Sequence, residues 1–128
     1  MNGLERWHYV MKEGDMETLY DLLHPDCVFI SPVVHTPQEG REITFVYLRA
    51  ANKALSEDFQ YVREVVQDNY AVLEFTVKVD GIFVNGVDII TFEGDQIVEF
   101  KVMVRPLKAV NAVWKQMGEM LEQLKAAS

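Results

Sequence analysis

A single cysteine, Cys27, stands among 128 residues, so no internal disulfide can form and no oxidising compartment is implied. Long apolar runs are missing too. None approaches the roughly 20 residues that span a bilayer as a helix, and the N-terminus lacks the basic-then-apolar pattern of a signal peptide. Basic residues are scarce: 12 Lys and Arg stand against 20 Asp and Glu, a net charge of −8. That charge repels nucleic acid and anionic membrane surfaces, and no Lys/Arg stripe offsets it. The three histidines follow no His-x-x-x-His spacing, which argues against a metal site. Walker loops, G-x-S-x-G and dinucleotide fingerprints are absent, so no nucleotide cofactor is expected. Repeats, linkers and low-complexity segments are lacking as well. One soluble, cytoplasmic domain over residues 1–128 is the expectation.

What is present is an apolar share of 49%, ordinary for a globular chain. Leu4, Trp7, Val10 and Met11 recur at helical spacing until Gly14, and Asp15 reads as the N-cap of a second helix ending at His24-Pro25. Residues 26–31 read as a short strand, and Gly40 to Leu55 as a third helix carrying Ile43, Val46, Tyr47 and Ala50. From Phe59 the period becomes two. Ala71, Leu73, Phe75, Val77 and Val79 alternate with Val72, Glu74, Thr76 and Lys78, the pattern of a strand buried on one face. Asp80-Gly81 and Glu93-Gly94-Asp95 are turns. They bound strands over about Phe83 to Phe92 and Gln96 to Val104, the latter with Val98, Phe100, Val102 and Val104 on one face. Pro106 fits the first turn of a closing helix whose apolar stripe includes Val113, Trp114, Met117 and Leu121. Segregated helices and antiparallel strands mean α+β. A curved antiparallel sheet wrapped over three N-terminal helices forms a half-cone with an apolar interior, which can serve as a ligand cavity.

Asp88 is the most informative residue. Sharing parity with Ile90 and Phe92 puts it on an apolar face, where a lone carboxylate must be paired or protonated. The alternative turns Val87 and Ile89 inward and leaves Asp88 paired on the surface. Ser31 ends a hydrophobic run and opens the loop Ser31–Gly40. His35, on that loop, is either a titrating base at the cavity mouth or an exposed histidine without a role. Trp7, Tyr20, Tyr47 and Phe75 can line a pocket or simply fill the core. Met103 and Arg105 lie opposite Phe100 and Val102, on the outer sheet face.

Three strings, taken in order, carry a family resemblance: "YVMKEGDMETLYDLLHPDCVF", "SPVVHTPQEG" and "GVDIITFEGDQIVEF". Together they resemble the NTF2-like (cystatin-like) superfamily, in particular its ketosteroid isomerase and SnoaL-like polyketide cyclase branch. The resemblance covers most of the chain up to Val104. It implies the half-cone fold with a C-terminal helix, a small apolar or carbonyl-bearing ligand, and a homodimer formed through the outer sheet face. It implies site residues as well. The isomerases carry an aspartate base immediately before the first proline of the loop, and here that position is Ser31, which cannot accept a proton at neutral pH. Counting back from Asp15, their first-helix tyrosine becomes Trp7, whose indole N–H can donate one hydrogen bond. Their protonated aspartate falls on Asp88 and is kept.

One of three functional positions survives, so the standard steroid isomerisation is not expected. The expected function is binding of a small hydrophobic molecule, with proton-transfer chemistry (isomerisation, dehydration or cyclisation) if the protein is an enzyme. Asp88 and His35 are the candidate catalytic groups; Trp7, Ser31, Tyr47, Phe75, Phe100 and Val102 are the candidate ligand contacts. The alternative is a non-catalytic ligand-binding or dimeric interaction domain.

Overall fold

The computed structural model describes residues 2–127. Helix α1, Gly3–Glu13, opens on a reciprocal cap. The Asn2 side chain accepts from the Glu5 N–H at 2.8 Å, and Glu5 reaches back to the Asn2 N–H at 3.3 Å. It stops at Gly14, whose φ of 68° is open to glycine at little cost. Helix α2, Met16–Leu22, is capped by Asp15, which accepts from the Glu17 and Thr18 amides. That sharp helix-to-helix turn folds α1 and α2 into one layer.

Strand β1, Leu23–Ile30, begins earlier than the sequence pattern implies, and His24-Pro25 lies inside it. His24 is therefore a strand residue and not a helix terminus; its Nδ1 accepts from the Asp26 N–H at 3.0 Å. A two-residue strand β2, Gln38–Glu39, pairs back on β1. Helix α3 spans Arg41–Ala54. The meander follows: β3, Glu57–Gln67; β4, Tyr70–Val79; β5, Ile82–Glu93; and β6, Gln96–Arg105. Helix α4, Leu107–Ala127, closes the chain, with the Pro106 carbonyl accepting from Val110 N–H at its start.

The six strands form one sheet in the order β2-β1-β6-β5-β4-β3. Every pairing is antiparallel except β1 with β6, which is parallel. A two-residue turn at Asp80-Gly81, both with positive φ, links β4 to β5 in unbroken register. A register shift at Thr91/Phe92 lets Ile97, not Val98, take the inward place in β6, so the expected face of Val98, Phe100, Val102 and Val104 breaks at its first member.

The concave face of the sheet carries Phe29, Leu73, Phe75, Ile90 and Phe100, all buried against the helices. Helix α4 lies over the open end of the cone, burying Ala109, Ala112, Val113 and Met117. Trp114 does not join that stripe; it is 64% exposed, because a helix laid over a cone mouth has only one face to bury. Among the described residues no helix is long and apolar enough to cross a membrane.

Candidate functional site

The site is built on β5. Its alternation turns Val84, Gly86, Asp88, Ile90 and Phe92 inward. Asp88 is 6% exposed, on a wall otherwise made of apolar side chains. Gly86, one inward step before it, leaves room for the Phe75 ring from β4. A Cβ at this position would lie 2.6 Å from Phe75 Cζ and 2.6 Å from the Met103 carbonyl oxygen.

Two side chains reach Asp88 in sequence. The Tyr61 hydroxyl, from β3, donates to Asp88 Oδ2 at 2.5 Å. Trp7 Nε1–H, from α1, donates to the Tyr61 oxygen at 3.0 Å. Trp7 is held by Phe100, ring centroids 4.8 Å apart, and Tyr61 by Phe59, centroids 5.0 Å apart. Burial pushes Asp88 from 3.8 up to about 7, against the Tyr61 hydrogen bond, which pulls it down. Tyr61 is pushed well above its usual value of 10, first by burial and then by the Asp88 charge. Tyr61 thus remains a hydroxyl donor across the neutral range, while Asp88 gains and loses its proton there.

Two cavities share the lining residues Phe29, Ala51, Leu55 and Val102. The inner chamber, about 40 Å³, ends at Asp88 and is walled by Trp7, Phe75 and Phe100. It has room for a water or a few ligand atoms. The outer chamber, about 210 Å³, lies under α4 between Ser31, Tyr47, Val104 and Met117. Asn52 of α3 also lines the inner chamber, and its side-chain amide makes no hydrogen bond with another described residue.

The residues singled out from the sequence thus fall into three places. Asp88, Trp7, Phe75 and Phe100 wall the inner chamber, with Val102 at the neck. Ser31 and Tyr47 line the outer chamber. His35 is exposed on its loop and lines neither. The Ser31 hydroxyl oxygen accepts from the Val33 and Val34 amides at 3.1 and 3.3 Å, so it shapes the loop. Trp7 walls the inner chamber, and its one N–H is committed to Tyr61. Tyr61 and Asn52 were not foreseen. The alternation Phe59-x-Tyr61 was the available signal for Tyr61, but a register shift between Tyr61 and Arg63 obscures the strand's inward face.

Known proteins agree with this architecture. A steroid delta-isomerase from Pseudomonas aeruginosa superposes with a TM-score of 0.92 at 36% identity, over 97% of this chain and 92% of that one. A protein with a cystatin-like fold from Silicibacter pomeroyi DSS-3 matches at TM-score 0.84 and 31% identity, over 91% and 83%. A putative SnoaL-like polyketide cyclase from Jannaschia Sp. CCS1 shares the fold at TM-score 0.69 and 15% identity, over 87% and 90%. No curated protein sequence matches the chain. The model of the SnoaL-like domain matches residues 4–100. With the half-cone, the inward acid on β5 and that match, the chain belongs to the SnoaL-like domain family of NTF2-like proteins.

Proposed function

We propose that this protein binds a small, largely apolar compound with one carbonyl or hydroxyl oxygen, and that Asp88 exchanges a proton at that oxygen. The observation that carries the reading is a buried carboxyl, held to about 7, on an otherwise apolar wall. The ligand's oxygen would enter the inner chamber while its apolar body occupies the outer one. Relatives described as a steroid delta-isomerase and a putative polyketide cyclase support proton-transfer chemistry on such compounds: isomerisation, dehydration or cyclisation. The standard steroid isomerisation is not part of the proposal, because Ser31 stands where the resemblance places the base and its oxygen is occupied by two backbone amides. His35 can supply that base only if the loop folds over the outer chamber.

The test is mass spectrometry of small molecules that co-purify with the wild type and with Asp88→Asn. Apolar, oxygen-bearing compounds enriched on the wild type and lost from Asp88→Asn are expected. Equal recovery on both proteins removes Asp88 from the binding account. The small inner chamber favours a second reading, a non-catalytic interaction domain, and an empty wild-type protein would support that one.

We also propose pairing of two copies through the outer sheet face. Val65 and Val72 are exposed and in register with each other and with Ile89; Met103 is exposed beside Val87. Arg63, Lys101 and Arg105 share that face with Glu74 and Glu99, so a two-fold axis can oppose unlike charges despite the net −8.

A further inference from the structure

Two donors reach one carboxylate oxygen by relay. The single N–H of Trp7 goes to the Tyr61 oxygen at 3.0 Å, and the single O–H of Tyr61 goes to Asp88 Oδ2 at 2.5 Å. Neither donor is left over for a ligand. Asp88 Oδ1, by contrast, makes no hydrogen bond with any described residue, although Asp88 lines the inner chamber.

We propose that Tyr61 is the positioning residue of this site: by holding Oδ2 it leaves Oδ1 as the one atom through which Asp88 meets a ligand. In the neutral acid the proton sits on Oδ1, because Oδ2 already accepts from Tyr61. That O–H then donates to one ligand oxygen, such as a ketone or aldehyde carbonyl. Once ionised, Oδ1 becomes an acceptor and instead suits a ligand hydroxyl. Trp7 acts one step further back: its N–H polarises the Tyr61 hydroxyl and makes it a stronger donor. The inference rests on Asp88 as the acid of the proposed function and adds what orients it.

Few charged groups face this pair. His8 from α1 packs its ring edge-on to Tyr61 at 5.7 Å and pairs with Glu64 of β3, Nε2 to Oε1 at 2.6 Å. Glu64 also helps hold Tyr61 protonated. Among the described residues, the other elements present no titratable side chain to Asp88: α3 offers Leu48, Ala51 and Asn52, β4 Phe75, and β6 Phe100 and Val102.

Infrared spectroscopy across a pH titration tests the proposal on the ligand-free protein. The carboxylic C=O band of Asp88 is assigned by its loss in Asp88→Asn, and its wild-type midpoint is expected near 7. Tyr61→Phe removes a donor that favours the ionised form, so the midpoint should rise by about one pH unit or more. Trp7→Phe should raise it less, in the same direction. An unchanged or lowered midpoint in Tyr61→Phe overturns the proposal. If Tyr61→Phe does not fold, the wild type still decides. Its Tyr61 phenol C–O band must shift with the Asp88 midpoint and stay still in Asp88→Asn, and a band indifferent to that midpoint overturns the proposal. Neither readout needs a ligand, so a protein that passes here yet co-purifies with nothing loses only the proposed function.

Discussion

Keeping an acid such as Asp88 inside an apolar wall has a consequence for stability. Its pKa rises from 3.8 unfolded to about 7 folded, so the folded chain holds this proton more tightly between those values. The stabilising contribution is complete below the unfolded value and is lost as pH rises through 7. Above pH 7 the cost of burying the charge is on the order of 4 kcal/mol. Asp88→Asn keeps an acceptor for Tyr61 and removes that cost. The variant should therefore match or trail the wild type in urea denaturation at pH 5, and exceed it at pH 8 by up to a few kcal/mol. Parallel pH dependences in the two proteins would count against a buried titrating acid. At this scale Asp88 was half legible: its parity with Ile90 and Phe92 is local, but burial had to decide between that face and the one carrying Val87 and Ile89. Tyr61 was not, since only the register of β3 on β4 shows that it and not Val62 points inward. His35 lies exposed on its loop and lines neither chamber, which its residue type could not tell.

Elements followed local rules wherever caps and turns were local. Asn2, Gly14, Asp15 and Asp80-Gly81 stop and start their elements through their own side chains or backbone freedom. Departures came where a neighbour intervened. Strand β1 extends back through His24-Pro25 because Leu23 pairs with Ile97 of β6, and β2 exists only because β1 lies beside it. The glycine of β5 belongs here too. Gly86 lies against Phe75 and the Met103 carbonyl, so Gly86→Ala must push either a core ring or a strand backbone aside. A loss of about 1–3 kcal/mol in chemical denaturation is expected, with Phe75 displaced from its place beside Asp88. A variant as stable as the wild type would mean that the close approach is not a constraint.

The whole molecule is a cone with a busy inside and an unfinished outside. Val65, Val72 and Met103 are exposed on the outer face, more apolar surface than an isolated sheet face needs. The proposed pairing predicts that the wild type sediments as a dimer and that Val72→Glu halves the mass without changing the far-ultraviolet circular dichroism. A monomeric wild type ends that proposal. By itself the sequence determined the α+β class, the order of the helices and of the main strands, and the half-cone resemblance, and it offered Asp88 as one of two possible inward faces of β5. These depend on periodicity, caps and turns, which act over a few residues. Only the tertiary structure decided that Tyr61 stands between Trp7 and Asp88, that α4 lies over the cone mouth with Trp114 largely exposed at the rim of the outer chamber, and that the interior divides at Phe29, Ala51, Leu55 and Val102. Trp7, Tyr61 and Asp88 come from elements far apart in the chain, and no local pattern encodes the curvature and register that bring such groups within hydrogen-bonding distance.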